Sequence, residues 1–580
     1  MYDHLIRNAT IVDGLGGEPY TGDVAIKDGV IAEVGEVSGK ARETLNADGA
    51  HVTPGWVDVH THYDGQVSWD DTIEPSFSHG VTTIVMGNCG VGFAPCRPGD
   101  EQRLIELMEG VEDIPGTALY EGIEWGNWES FPEYIEYLST KRYTMDVGTQ
   151  IPHSALRNYV MGERALTHED ASADDLATMC RLVQEALGAG ALGFSTSRTI
   201  GHRSVDGEPI PGTFAEKAEL MAIARAMREA GRGVFQAVPA GVVGDIAGPE
   251  RWTTEQEVEL FAEIARESGR QCTFTLVQNG NRPEQWRNCL NIVERANAEG
   301  IQLTPQIATR PIGIVTSLDS YHMFMRRETY LKVADLPLRE RLVELRKPEV
   351  RAAVLADKDI APDQPGVMAN VFALMQMAAP AMFPIEIPID YEPEASGNMG
   401  ARAAAAGMDI QAFMYDFLTA GEGDQFAILL GANFADGTFS VIEEMIPHPN
   451  TTIGLSDAGA HVNLIFDAVG PTYQLTHWVR DRSRGRRFPI ELIVHKQTYS
   501  NARLFGLSDR GSIEVGKRAD INVIDLDRLG LGKLHVHRDL PAGGSRILQP
   551  ARGYVGTFVA GVKTRDNDRD TGARPGRVIR

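Results

Sequence analysis

Cysteine is scarce in this sequence, with 5 residues in a chain of 580. The number is odd and no Cys-x-x-Cys pair occurs, so a disulfide framework is not expected, and a metal ligand or a reactive thiol is the special role open to a cysteine here. The first residues also lack a basic segment followed by an apolar one, which is the pattern of an export signal. We therefore expect a cytoplasmic protein.

Long hydrophobic runs and positive charge are scarce as well. The longest apolar tract, residues 371–389, contains Gln376, Glu386 and three prolines, which argues against a membrane-spanning helix. Lys and Arg number 55 against 80 Asp and Glu, a net charge of −25, and such a field repels nucleic acid and anionic lipid. We expect a small-molecule substrate, no nucleic acid or membrane partner, and leave a homo-oligomer open.

Repeated helix-then-strand units fill the centre of the chain. Residues 173–190 carry apolar side chains at helical spacing and lead into a β-rich segment, and three similar units follow, each helix closing at a glycine. The series continues to a late strand at 451–461. Because no glycine-rich phosphate loop follows an early strand, we predict a (β/α)8 TIM-like barrel over 53–505 in preference to an open doubly wound sheet.

The two ends of the chain have a different character. Short β-rich runs with turn signals fill residues 1–52 and 506–562, which predicts one small β-sandwich domain built from both termini. Residues at about 320–400 interrupt the barrel pattern, and we interpret them as an insertion that either covers the barrel mouth or packs beside it. Residues 563–580 hold six basic and three acidic groups, and we predict a flexible tail.

The strongest chemical signal is the segment GWVDVHTHYDG, which contains His60 and His62. Residues i and i+2 of a strand point to the same face, so both imidazoles would enter the barrel at its C-terminal end, where barrel enzymes keep their sites. This arrangement suits a metal ion. A second pair, His535 and His537, lies in a Gly- and Arg-rich stretch near the chain end, and we predict no metal role for it.

Two further residues follow apolar strands. Cys89 stands in a Gly-Asn-Cys-Gly turn, where flanking glycines permit close backbone approach and a thiolate could ligate a metal; the alternative is a small buried apolar residue. Asp457 in IGLSDAGAH could ligate the metal and take a proton from the water that it activates. Its alternative role is a helix N-cap.

These segments together resemble the amidohydrolase superfamily and, within it, the N-acyl-D-amino acid deacylase (D-aminoacylase) branch. The resemblance rests on the following segments in order along the chain: IRNATIVDG, TPGWVDVHTHYD, HGVTTIVMGNCG, IPHSALRNYVMG, EALGAGALGFSTS, IGLSDAG and GSIEVGKRADINVID. It implies a metal-bearing (β/α)8 barrel with a small β-sandwich, acting on C–N bonds other than peptide bonds. It also implies that the bound metal is zinc.

Carried over position by position, the resemblance makes His60 and His62 the histidine pair of the first strand and Cys89 the zinc-ligating cysteine of this branch. It makes Asp457 both a metal ligand and the catalytic aspartate. The metal would polarise the scissile carbonyl and activate water, while Asp457 moves the proton to the leaving nitrogen. We predict one zinc ion, with two as the alternative.

The chain departs from the family at two ligand positions. The branch has a histidine on the fifth strand and another on the sixth, where this chain reads GVFQAVP and CTFTLVQNG and offers Gln236 and Gln278. The lysine that follows the sixth-strand histidines, a contact for a substrate carboxylate, is also absent. Five residues are candidates for substrate binding instead: Arg198, His202, Gln236, Gln278 and Arg310.

Three functions remain open at this point. The leading prediction is a metal-dependent amide hydrolase of the D-aminoacylase type with an altered substrate range. The second is a hydrolase of cyclic amides, lactones or aromatic amides, because the same attack by metal-activated water serves all of them. The third is a catalytically silent relative that binds a small molecule, which the two missing histidines motivate.

Overall fold

The structure is a computed structural model that describes residues 1–243, 248–361, 367–387 and 389–580. Its centre is a ring of eight parallel strands, each hydrogen-bonded to the next except that the first and last are joined by a single Thr61–Ala458 bridge. The barrel strands are, in order, Trp56–Asp58, Val81–Met86, Asp146–Thr149 continued by Ile151–Pro152, Gly193–Ser197, Val234–Val238, Cys272–Thr275, Leu303–Ile307 and Thr452–Ile453. The predicted barrel is confirmed.

Helices surround the ring because their apolar stripes pack on the outer faces of the strands. Ser172 and Thr253 form capping boxes at the starts of two of these helices, which end at Gly190 and Gly269. The outer helices are Glu101–Glu112, Gly116–Gly122, Phe131–Ser139, His153–Met161, Glu163–Leu166, Ala173–Ala189, Lys217–Ala230, Thr254–Ser268, Gln285–Ala298, Gly470–Gln474, Ile490–His495 and Asn501–Leu504.

Both chain termini contribute to one mixed sheet of nine strands. Strand His51–Pro54 pairs with Ile521–Ile524 and so joins the N-terminal half to the C-terminal half, as predicted. The strands of this sheet are Tyr2–Ile11, Tyr20–Lys27, Val30–Gly35, Ala41–Asn46, His51–Pro54, Ile521–Ile524, Tyr554–Val559, Val562–Asp566 and Arg569–Asp570. Four short strands lie between its C-terminal members: Gly530–Leu531, His535–His537, Arg546–Leu548 and Ala551–Arg552.

Residues 563–580 differ from the predicted flexible tail. The last two strands of the terminal sheet reach Asp570, and beyond them Gly576 and Val578 bridge to Tyr143 and Val147 beside the third barrel strand. The Ile579 N–H donates to the Val147 carbonyl at 2.9 Å. Backbone hydrogen bonds hold this segment, and they need no apolar side chains, which is why the composition gave no sign of them.

The insertion lies between the seventh and eighth barrel strands and is longer than predicted, since it runs from 308 to 451. Its strands are Ile312–Ser317, Phe383–Pro384 and Phe426–Ala432, and its helices are Glu328–Leu331, Leu338–Leu345, Pro348–Ala356, Val367–Ala378, Met399–Ala405, Ile410–Leu418 and Ser440–Met445. Leu464 and Ile465 pack in its apolar core. The insertion therefore supports the loop that follows the eighth barrel strand.

Within the described ranges, no helix combines the length and the apolar character that crossing a membrane requires. The tract at 371–389, for which the sequence argued against a spanning helix, falls partly outside those ranges at residue 388.

Candidate metal centre

Three side chains converge at the C-terminal end of the barrel. The ligand atoms of His60, His62 and Cys89 all lie within 4.8 Å of one another. The Cys89 Sγ atom is 3.4 Å from His60 Nε2 and 3.8 Å from His62 Nε2, and all three residues are buried. Imidazole nitrogen and thiolate sulfur are the donors that Zn²⁺ prefers. The residues present therefore fit a zinc ion.

Asp457 completes the cluster from the eighth strand. Its Oδ1 atom lies 3.3 Å from His60 Nε2 and 3.8 Å from His62 Nε2. The side chain is 20% exposed, whereas the two histidine side chains are at most 2% exposed. The bridge that closes the barrel holds Asp457 close to the two histidines, because the His62 N–H donates to the carbonyl of the next residue, Ala458, at 2.8 Å. Asp457 thus forms the open side of the site.

The backbone is strained where it presents these groups. Cys89, Asp457 and His461 have φ values of 55°, 46° and 47°, a left-handed conformation that is costly for residues other than glycine and that clusters at functional sites. A Cβ atom on Gly90 would lie 3.0 Å from the Ser197 backbone nitrogen. The glycine after Cys89 therefore lets the backbone pass closely against the fourth strand.

Two residues that the sequence analysis missed orient the histidines. His60 Nδ1 lies 2.8 Å from the Gln306 Oε1 atom, and His62 Nδ1 lies 3.3 Å from Glu112 Oε1. The Gln306 acceptor assigns a proton to Nδ1 of His60 and directs its Nε2 toward a metal. Glu112 contacts His62 as an ion pair, without hydrogen-bond geometry. Gln306 is a fully buried amide on the strand Leu303–Ile307, and a glutamine in a strand-like segment is a usable signal, but nothing local marks Glu112 at its helix end.

The charges in the site are strongly coupled. Burial alone would raise the pKa of Asp457, but the His62 hydrogen bond and the nearby imidazoles lower it to about 2. Burial alone would lower the pKa of His62, but Glu112 and Asp457 raise it to about 9. Burial raises the pKa of Glu112 to about 7. Asp457 is therefore ionised near neutral pH, and a bound cation would replace the proton on His62 Nε2.

Two more histidines face this cluster from neighbouring loops. His461 Nε2 lies 3.7 Å from Glu112 Oε2, and the partly buried His202, a predicted substrate contact, interacts electrostatically with His461, His62 and Asp457. Burial lowers the pKa of His202 to about 3 and that of His461 to about 4. Both rings are therefore neutral near pH 7. His202 thus lies near the cluster, and its role as a substrate contact stays a prediction.

The two predicted arginine contacts are engaged elsewhere. Arg198 donates to Glu257 at 3.1 Å and to the Ala215 carbonyl at 2.7 Å. Arg310 forms a buried ion pair with Asp467 and stacks on the Phe466 ring at 4.2 Å. Each guanidinium thus lies beside a buried carboxylate, while Arg310 Nε and Nη1 have no hydrogen-bond partner among the described residues. Sequence could not reveal these partners, because they lie far away along the chain.

The two glutamines at the family's histidine positions have different surroundings. Gln236 is fully buried, and neither of its amide atoms has a hydrogen-bond partner. Gln278 contacts the insertion instead: its N–H donates to Asn433 Oδ1 at 2.7 Å, and its Oε1 accepts from the Ala435 N–H at 3.2 Å. A substrate contact thus stays a prediction for Gln236, while Gln278 binds the insertion at Asn433 and Ala435.

Comparisons with known proteins show which sequences this chain is similar to. A sequence model described as the amidohydrolase family matches residues 43–563. An uncharacterised protein of Mycobacterium tuberculosis is 27% identical over 558 residues, which cover 90% of this chain and 84% of that protein. N-acyl-D-glutamate deacylase of Alcaligenes xylosoxydans xylosoxydans is 29% identical over 315 residues, 53% of this chain and 57% of the relative.

The fold is also similar to solved structures over the whole chain. A D-aminoacylase with a binuclear metal center superposes with a TM-score of 0.65 at 22% identity, covering 100% of both chains. N-acyl-D-glutamate deacylase from Bordetella bronchiseptica, complexed with zinc and a phosphonate inhibitor, superposes with a TM-score of 0.63 at 24% identity, covering 100% of this chain and 99% of that one. The fold and the resemblance predicted from sequence are confirmed.

Proposed function

Because the chain belongs to the amidohydrolase family, we propose that it is a zinc-dependent hydrolase of amide C–N bonds other than peptide bonds, in the manner of the N-acyl-D-amino acid deacylases. The observation that carries the proposal is the convergence of His60, His62 and Cys89 with Asp457 on the open side. A zinc ion held by these residues would polarise the scissile carbonyl and make water more acidic.

The protein's own residues then supply positioning and proton transfer. Asp457 accepts the proton of the attacking water on its carboxylate and delivers it to the leaving nitrogen. The carboxylate can accept this proton because it is ionised near neutral pH. Gln306 and Glu112 hold the two histidines in place. The loop that carries Asp457 is fixed by the Ile547 N–H donating to the Val462 carbonyl at 2.7 Å and by the Val315 N–H donating to that of Leu464 at 2.7 Å.

The test replaces the proton acceptor with its amide isostere. Asp457→Asn is expected to lower kcat for hydrolysis of an N-acyl-D-amino acid or its amide by at least about 100-fold, because a carboxamide cannot take up the proton. Asp206→Asn, at an exposed carboxylate after the fourth strand, serves as the control and should retain the wild-type rate. Full activity in Asp457→Asn would rule out this proton path.

Metal analysis separates the hydrolase from a silent binding protein. Protein purified without chelator is expected to contain about one equivalent of zinc, measured by plasma mass spectrometry. Absence of metal even after zinc supplementation would favour the catalytically silent alternative.

A further inference from the structure

Uncharged polar side chains line the barrel interior beside the metal centre. All are at least nine-tenths buried, and each carries a side-chain atom without a hydrogen-bond partner: Gln150, Ser197, Gln236, Thr275 and Gln306. We call these five residues the neutral lining. Buried polar groups are almost always hydrogen-bonded, because leaving them unpaired is costly. Unpaired atoms on side chains that share the barrel interior therefore point to a ligand that pairs with them.

Two members of the neutral lining contact residues of the metal centre or their immediate neighbours. Gln306 contacts His60 at 2.8 Å. At the other end Gln150 Nε2 donates to Asn88 Oδ1 at 3.0 Å, next to Cys89. Between these ends Gln236 pairs with Ser195 on the fourth strand and with Thr273 on the sixth. Two residues further along the sixth strand, Thr275 pairs with Gln306, so these side chains share one face of the sheet. A ligand on the lining would thus extend directly from a reacting group at the metal.

Gln236 is the central member of this set. Its pairing partner on the fourth strand is Ser195, whose hydroxyl accepts from the Gly90 N–H beside Cys89 at 3.2 Å. Paired residues of neighbouring strands share one face of a sheet, so Gln236 is directed to the barrel interior as well. Both its Oε1 and its Nε2 atoms lack partners. A carboxamide offers one acceptor and one donor side by side, and the group complementary to it is another amide.

Charge decides between an anionic and an uncharged ligand. None of the five residues ionises, and the Arg198 and Arg310 guanidinium groups are already neutralised by Glu257 and Asp467. A carboxylate held by Gln236 would lose its hydration without gaining a cation from the neutral lining itself, which is unfavourable. An uncharged amide exchanges its hydrogen bonds to water for hydrogen bonds to glutamine.

We propose that the substrate presents an uncharged amide-type group, bearing both an N–H and a C=O, to Gln236 and the neutral lining. The compound class is an N-acyl amino acid amide or a related imide or urea, in preference to a free N-acyl amino acid. This inference rests on the proposed function, since it names the substrate class of the same site.

A matched pair of compounds tests the charge preference. N-acetyl-D-alaninamide and N-acetyl-D-alanine differ only in a carboxamide against a carboxylate. With zinc-loaded protein, kcat/KM for the amide is expected to be at least about tenfold higher, and ligand-observed NMR should show the same order of binding. Equal or better binding and turnover of the carboxylate would overturn the inference while leaving the hydrolase intact. Preferred binding of the amide without any hydrolysis would overturn the hydrolase alone.

Substitution of Gln236 tests the site itself. Gln236→Met removes both unpaired atoms at similar volume, so binding of N-acetyl-D-alaninamide should weaken at least about tenfold while Tm stays level or rises. A lower Tm with unchanged binding would mean that Gln236 is only structural. Zinc content should not change, and Gln102→Met, on an outer helix, should leave binding unaltered.

A second variant covers the case in which Gln236→Met does not fold. Gln236→Lys introduces a cation and is expected to shift the preference at least about tenfold toward N-acetyl-D-alanine, since an ammonium group pairs with a carboxylate. An unchanged preference in folded, zinc-loaded Gln236→Lys would contradict the proposal.

Discussion

At the scale of single residues, Glu112 links two histidines of the metal centre. One carboxylate oxygen lies 3.3 Å from His62 Nδ1 and the other lies 3.7 Å from His461 Nε2. The carboxylate is almost fully buried, so no solvent substitutes for it when it is removed. Acceptors of this kind fix the ring of a ligating histidine and increase its basicity.

We therefore expect Glu112→Gln to weaken zinc binding by about 10- to 100-fold. Competition with a chromogenic chelator measures the affinity independently of turnover. Glu106→Gln is the matched control, because Glu106 lies on the same helix and its carboxylate accepts from the exposed Gln102 at 2.9 Å. Equal weakening in both variants would indicate a general effect on the helix, and no change in Glu112→Gln would remove its orienting role.

At the scale of elements, a buried ion cluster joins the helices after the third and fourth barrel strands. Glu219 Oε1, on helix Lys217–Ala230, lies 2.7 Å from His153 Nε2 and 2.6 Å from Arg157 Nη1, both on helix His153–Met161. Burial alone would raise the pKa of Glu219, but the bonds from His153 and Arg157 lower it to about 2. The folded state thus favours the ionised carboxylate.

This shift predicts how stability depends on pH. A carboxylate whose pKa is lowered by folding stabilises the folded state at pH values above its unfolded-state pKa, which is about 4.5. That contribution is lost as the pH falls toward about 2. Glu219→Gln should lower the free energy of unfolding by about 3 kcal/mol near neutral pH, and the difference from wild type should shrink below about pH 4.5. Denaturant titrations across this range measure it. If the difference in unfolding free energy between wild type and Glu219→Gln stayed constant with pH, the lowered pKa of Glu219 would be contradicted.

At the scale of the whole molecule, the C-terminal segment holds the barrel. The Gly576 N–H donates to the Tyr143 carbonyl at 2.8 Å, and the Arg577 N–H donates to Asp146 Oδ1 at 2.9 Å. Asp146 also forms an ion pair with Arg510 at 2.8 Å, so the segment that leads into the terminal sheet, the barrel and the final residues meet at one carboxylate.

Removal of residues 573–580 is therefore expected to lower Tm by a few degrees, as calorimetry would show. A control with Arg577→Ser and Arg580→Ser keeps the backbone bonds and should stay near the wild-type Tm. An unchanged Tm in the truncated protein would mean that the segment behaves as the flexible tail which composition suggests.

The sequence by itself determined the features that depend on residues close together in the chain. Helical and strand periodicities predicted the barrel and the terminal sheet, because each element buries one face of a regular repeat. The positions of His60, His62, Cys89 and Asp457 were predicted as well, since each follows an apolar strand and the carboxyl ends of parallel strands meet at one edge of a barrel.

Only the tertiary structure decided which distant groups meet. Glu112 is 50 positions from His62 and Gln306 is 246 from His60, and no spacing rule connects residues so far apart. The same reason explains why Arg198 and Arg310, chosen as substrate contacts, proved to be paired with Glu257 and Asp467. Whether a polar side chain is satisfied or free depends on its neighbours in space, and those neighbours exist only once the chain has folded.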